Sequence, residues 1–200
     1  MTYFVTGATG FIGRHLVQVL LDRHDGDIHV LVREGSTDRL DDLTARWGHP
    51  GRVKPVIGDL SQPNLGVSDE QVAALRQAGV DHFFHLAAIY DMTADDETNE
   101  SFNVGGTRNA VALANAVQAG TFHHVSSIAA AGLYKGLFRE DYFDQGQKLP
   151  SAYHRTKFES EKIAREETQG PWRVYRPAIV IGNSKTGEMD KVDGPTTSSS

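Results

Sequence analysis

Cysteine is absent from the 200 residues, which excludes disulfides, thiolate nucleophiles and cysteine-held zinc. An excess of basic charge is missing as well. The formal net charge is −6 at pH 7, so nucleic acid is not an expected partner, although a local basic patch can still bind a phosphate. No apolar run approaches the roughly 20 residues that a membrane-spanning helix needs. No basic segment followed by an apolar one precedes the strand-like residues that begin at Tyr3. These absences leave a soluble, cytoplasmic reading, and 200 residues are enough for one domain with a real core. Histidine is not scarce, with nine copies, yet its placement argues against a metal. His123 and His124 are adjacent in a strand-like run and point to opposite faces, His82 and His85 straddle another strand, and no H-x-x-x-H pair lies on a helix.

What is present is alternation. Thr2–Thr6, Ile28–Val32, Val53–Ile57, Asp81–Leu86, Phe122–Ser126 and Arg173–Tyr175 read as strands. Between them Ile12–His24, Arg39–Trp47, Asp69–Ala78, Glu97–Ala119 and Ala152–Glu167 read as helices, the first with Ile12, Leu16, Val19 and Leu20 on one face. Ser68 to Gln71 reads as an N-terminal capping box. Six strands alternating with helices predict an α/β fold, a doubly wound parallel sheet of Rossmann type with strand order 3-2-1-4-5-6. One domain is expected over residues 1–195, with 196–200 a polar tail.

Three glycines, Gly7, Gly10 and Gly13, fall three apart between the first strand and the first helix. A glycine-rich strand-to-helix turn brings backbone N–H groups and a helix N-terminus up to a dinucleotide pyrophosphate. Gly7 is expected to make the turn, Gly10 to admit the pyrophosphate and Gly13 to allow close packing, with Thr9, Phe11 and Ile12 completing the cradle. Where a site preferring NAD has an acidic residue after the second strand, this chain has Arg33. A guanidinium matches a 2′-phosphate in charge and fork geometry, so NADP(H) is favoured, with Arg39 able to reach the same phosphate. Asp59 and Leu60, after the third strand, are placed to meet adenine.

Tyr153 and Lys157 stand four apart, one turn apart on one face of a helix. An ammonium nearby favours phenolate, and such a tyrosine can exchange a proton with a carbonyl oxygen while hydride moves at carbon. Ser127, at the end of the fifth strand, can orient the same oxygen, and Ser126 is given a structural role. The acidic run Asp95–Glu100 reads as a solvated helix start. The stretch Phe138–Gln147 lies between Ser127 and Tyr153, either as part of a lid or as a plain surface loop.

At these residues the chain resembles the extended short-chain dehydrogenase/reductases, with TGATGFIG, the strand-end serine pair and Y-x-x-x-K in family order. More narrowly it resembles the fatty acyl-CoA and thioester reductase branch, the relatives of carboxylic acid reductase terminal domains. The stretches LVREGSTDRL, GDLSQPNLGVSDEQ, VDHFFHLAAIYD, NVGGTRNAV, FHHVSSIAAAG, SAYHRTKFESEKI, WRVYRPAIVIGNSKTGE and MDKVDGP carry it. The resemblance implies an NADPH-dependent reductase of acyl thioesters with Ser127, Tyr153 and Lys157 as the catalytic set. It also implies that Lys157 holds the cofactor ribose, that Ala87 and Ala88 lie beside the cofactor, that Asn103 lies near the active site, and that Arg176, Pro177, Ala178 and Ile179 lie near the nicotinamide. The branch often has Thr where Ser127 stands, and both supply a hydroxyl. Members of the branch continue well past the DGP stretch into a substrate-binding lobe, so the acyl pocket is expected to lie outside these 200 residues. Two alternatives remain open: an extended reductase acting on a sugar nucleotide, sterol or other alcohol, and a non-catalytic NADP(H)-binding fragment. Homodimerisation is left open too.

Overall fold

The structure is a computed structural model and describes residues 1–49, 51–87, 100–180, 182 and 187. Six strands form one parallel sheet: β1 (Tyr3–Thr6), β2 (Ile28–Val32), β3 (Val53–Ile57), β4 (His82–His85), β5 (Thr121–Val125) and β6 (Trp172–Tyr175). Their order across the sheet is β3-β2-β1-β4-β5-β6, as the alternation predicts. The order reverses between β1 and β4, and it is at the carboxyl ends of these strands that an open parallel sheet of this kind receives ligands.

Among the described residues the α-helices are α1 (Phe11–Arg23), α2 (Thr37–Trp47), α3 (Asp69–Ala78), α4 (Gly106–Ala116) and α5 (Ala152–Glu167). Two apolar clusters cover the two faces of the sheet. One joins Val17, Leu20, Leu21, Leu40 and Trp47 of α1 and α2 to Tyr3, Val5, Ile28 and Val30. The other joins α3, α4 and α5 to Phe4, Phe83 and Phe122, whose rings lie against one another across three strands. Ser68 caps α3 by accepting the Gln71 N–H at 3.3 Å. Among the described residues, no helix is long and apolar enough to cross a membrane.

Two elements differ from the sequence reading. The inward face of α1 is Gly13, Val17, Leu20 and Leu21, whereas Ile12 and Val19 are 40% and 44% exposed. The helix carries two apolar stripes, and periodicity alone does not say which one meets the sheet. The second stripe, with Ile12 and Leu16, instead borders an open cavity of about 870 Å³ together with Phe84, Leu86, Val125 and Tyr175. The second difference is the helix read over Glu97–Ala119. Its described part is a wide π-type turn, Glu100–Gly105, followed by α4. The Asn103 carbonyl in that turn accepts hydroxyls from Thr107 (2.6 Å) and Ser160 (2.8 Å), bonds that displace regular helical geometry. At the other end Gln118 takes a φ of 54°, which closes the helix before β5. Residues 97–99, most of the acidic run and Ala88 lie outside the described residues.

Candidate active site

The glycine loop turns at Gly7, whose φ is +73° and where a Cβ would stand 2.7 Å from the Ala87 nitrogen. Gly13 is equally constrained, since a Cβ there would lie 2.0 Å from the Gly7 carbonyl oxygen. Its smallness therefore lets α1 close onto its own loop. Gly10 is the N-cap of α1 and brings no capping side chain, so the first N–H groups of the helix remain directed out of its end. The Arg39 guanidinium reaches over the loop and donates to the Thr9 carbonyl at 3.1 Å. These features fit a pyrophosphate held by backbone N–H groups, with a cation beside it. Phe11 and Ile12 open the helix, with Phe11 set edge-on to His15.

Arg33 follows β2 directly, is exposed, and lies within electrostatic reach of Asp59. Asp59 Oδ1 accepts both the Ser61 N–H (2.7 Å) and the Ser61 hydroxyl (2.6 Å). The hydroxyl, then the N–H, and to a smaller degree the Arg33 charge hold this carboxyl below its usual range. Leu60 is anchored through its carbonyl to Asn109 of α4 at 2.8 Å. Arg33 and Asp59 thus form one polar rim beyond β2 and β3, while Arg39 approaches from α2.

On the other side of the sheet, Ser127 leads from β5 into the 3₁₀ turn Ile128–Ala131 and accepts the Ala129 N–H at 3.2 Å. That bond uses a lone pair and leaves the hydroxyl hydrogen for an acceptor in the site. Helix α5 starts at Ser151, whose side chain caps it, and this puts Tyr153 in the first turn. The helix packs against the Ile128–Ala131 turn, against α4 and against the π-type turn that carries Asn103. Ser127, Tyr153, Lys157 and Asn103 are therefore drawn to neighbouring elements at one end of the sheet. The Lys157 nitrogen lies 5.9 Å from the Tyr153 ring centroid. Lys157 is only 6% exposed, and its burial lowers the ammonium pKa to about 8.

The segment after β6 runs beside Ser127. Ser126 N–H donates to the Tyr175 carbonyl (2.8 Å) and Ile128 N–H to the Pro177 carbonyl (3.2 Å), which places Pro177 beside the Ser127 turn, with Ala178 and Ile179 following it in the chain. Arg176 is different, because its side chain is committed elsewhere. Its guanidinium pairs with Glu161 and donates to the Tyr142 carbonyl at 2.7 Å. Ala87 reaches the site through its backbone, against Gly7.

Glu161 is the residue that sequence reasoning missed. It is fully buried and accepts from the Ser126 hydroxyl (2.9 Å), from Arg165 (2.8 Å) and from Arg176. One carboxylate thereby ties α5, the end of β5 and the end of β6 together. Tyr153, Lys157, Glu161 and Arg165 follow one another at intervals of four, and that series was the available signal. The stretch Phe138–Gln147 is pinned by the same assembly. Phe143 stacks on Phe158 of α5 at 4.5 Å, and Gln147 donates to the Ala130 and Phe143 carbonyls at 2.8 and 3.0 Å. The two flanking histidine pairs divide as the strand alternation predicts. His123 bonds His82 and Tyr175 on the α1 side, while His124 stacks on His85 on the α5 side.

A glycine loop under an arginine, at the strand-order reversal, is the form of a dinucleotide site, and comparison with known proteins agrees. The family model for male sterility proteins matches residues 5–199. This chain belongs to that family. It is an NAD(P)-binding domain of the extended short-chain dehydrogenase/reductase type, as its resemblance implied. The male sterility family domain is 33% identical over 205 residues to a linear gramicidin synthase polypeptide of Brevibacillus parabrevis, covering 94% of this chain and 4% of that protein. A Drosophila melanogaster protein named as a putative fatty acyl-CoA reductase is 30% identical over 222 residues, covering 90% of this chain and 41% of its own length. Among solved structures, the terminal R domain from the myxalamid PKS-NRPS biosynthetic pathway superposes with a TM-score of 0.82 at 31% identity, covering 94% of this chain and 51% of that one. The chain thus spans about half, or less, of the length of these three relatives.

Proposed function

We propose that this male sterility family domain binds NADPH and serves the reduction of acyl thioesters, with Ser127, Tyr153 and Lys157 as its catalytic residues. The observation that carries the reading is the Lys157 ammonium, buried on the Tyr153 face of α5 beside the Ser127 turn. A buried ammonium with a lowered pKa beside a tyrosine and a strand-end hydroxyl is a pattern of proton-transfer sites. The choice of NADPH is supported by Arg33, exposed directly after β2, and by Arg39, which reaches over the glycine loop, two cations able to meet a 2′-phosphate. A thioester substrate is supported by the relative named as a fatty acyl-CoA reductase, because acyl-CoA is itself a thioester.

When bound, the dinucleotide supplies the hydride. The protein supplies the proton and the geometry. Ser127 Oγ donates a hydrogen bond to the thioester carbonyl oxygen and orients it. Tyr153 Oη gives that oxygen its proton. Lys157 Nζ favours the phenolate that remains and binds the ribose hydroxyls. Collapse of the resulting hemithioacetal breaks its C–S bond, releasing a thiol and an aldehyde.

The test is to incubate the protein, carrying the substrate-binding lobe expected after the DGP stretch, with NADPH and a long-chain acyl-CoA, or with a UDP-sugar, and to follow NADPH absorbance and free thiol together. Thiol release matched to NADPH consumption with acyl-CoA is expected. Consumption of NADPH without thiol, or turnover with the UDP-sugar alone, overturns the thioester reading.

A further inference from the structure

A run of buried hydrogen bonds crosses the sheet beneath the proposed cofactor site, and His85 is its centre. His85 Nδ1 lies 2.8 Å from the Thr6 hydroxyl at the end of β1. Its Nε2 lies 3.2 Å from the Thr107 hydroxyl at the start of α4. Thr107 donates its single hydroxyl hydrogen to the Asn103 carbonyl at 2.6 Å, so toward His85 it can only accept. The proton of a neutral His85 is therefore on Nε2, and Nδ1 is left to accept from Thr6. The Thr6 oxygen in turn accepts the Ala87 N–H at 3.3 Å. Every donor in the run has an acceptor, and the direction is single: Ala87 to Thr6 to His85 to Thr107 to Asn103.

Both ends of this run are parts of the site. Ala87 lies against Gly7, so closely that a Cβ on Gly7 would touch the Ala87 nitrogen. Asn103 is 1% exposed, in the turn that packs on α5. We propose that His85 is a positioning residue for cofactor binding, joining the Gly7–Ala87 wall of the glycine loop to the Asn103 turn through its Nε2–H tautomer. An imidazole suits the task because it offers a donor and an acceptor on opposite sides of one rigid ring. Burial, with Lys157 adding its charge, pushes the His85 pKa down to about 3, so the ring stays neutral and keeps both roles. The groups that face it are His124, stacked at 5.6 Å and itself neutral through burial, and Lys157. The inference rests on the cofactor site proposed above and is independent of the acyl substrate.

The experiment compares His85→Phe, His85→Asn and His85→Gln in NADPH titrations by fluorescence, with a melting curve for each. His85→Phe keeps the ring stacked among Phe122 and His124 but leaves the buried Thr6 hydroxyl without an acceptor. A rise in Kd of roughly tenfold is expected, the effect of one unsatisfied buried polar group. His85→Asn puts Oδ1 near the Nδ1 position and should recover most of the affinity. His85→Gln places its amide toward Thr107 instead and should not. If His85→Phe does not fold, Thr6→Val should reproduce its loss of affinity. The nitrogen chemical shifts of the wild-type ring should show Nε2–H throughout pH 5 to 8.

Wild-type affinity in His85→Phe or Thr6→Val, affinity losses that simply follow the melting temperatures of all three His85 variants, or an Nδ1–H ring each overturn the proposal. A wild-type protein that binds neither NADPH nor NADH overturns it together with the cofactor site. Binding without thioester turnover overturns only the substrate reading.

Discussion

Beyond β2 and β3, the charges offered to a ligand stand at the surface. Arg33 and Arg39 are exposed, and the core beneath them is apolar. Beyond β4, β5 and β6 the polar groups are inside: Lys157, Glu161, His85 and His124 are all buried. The difference follows from what we propose each side does. A phosphate is charged already, and a long exposed arginine can meet it without first being stripped of water. For the Lys157 ammonium, burial lowers the pKa toward neutrality. Burial also makes partners matter. The Glu161 carboxylate answers two arginines and a serine, and the neutral His85 answers two threonines. One side of the site is assembled from surface side chains, and the other is built into the core.

Removing one hydroxyl from the buried side tests this contrast most severely. Tyr153→Phe keeps the ring, so folding and NADPH affinity should hardly change. The rate of NADPH-dependent thioester reduction should fall by about 10²–10⁴, the usual worth of general acid help. Wild-type turnover in this variant removes Tyr153 from the mechanism.

On the exposed side, Arg33→Asp should weaken NADPH binding by more than about tenfold, since a charge-assisted contact is worth roughly 1.5–3 kcal/mol. NADH affinity should hold or improve, and stability should hardly move. Equal NADPH affinity in variant and wild type would transfer the role to Arg39.

The smallest expected effect reads Lys157 through stability. Burial lowers its pKa from 10.5 to about 8. Between those values the unfolded chain carries a proton on Lys157 that the folded chain has released, so this residue makes stability rise with pH. The contribution is at most about 1.4 kcal/mol per pH unit. Urea unfolding at pH 8 and at pH 10 should therefore show a larger gain, or a smaller loss, in wild type than in Lys157→Met. Identical pH dependence would mean that the folded ammonium is as well hydrated as in the unfolded chain.

The sequence by itself determined the sheet order, the glycine loop, the start of α3 and the shared helix face of Tyr153 and Lys157. Each of these is written in local patterns: alternation for strands, a glycine every third residue at a turn, a spacing of four on a helix. Such patterns express geometry within a few residues, and they survive folding unchanged. The tertiary structure alone decided which stripe of α1 faces the sheet, why the chain around Asn103 widens into a π-type turn, and that Arg176 turns to Glu161. It also decided the partners of Thr6, Asn103, Ser126 and Glu161. Thr6 and His85 are 79 residues apart, Asn103 and Ser160 are 57 apart, and Ser126 and Glu161 are 35 apart. A histidine, a threonine and a glutamate look in isolation like ordinary surface residues. Only when the crossovers stack their elements does burial strip them of water, and then each must find its partner across the fold.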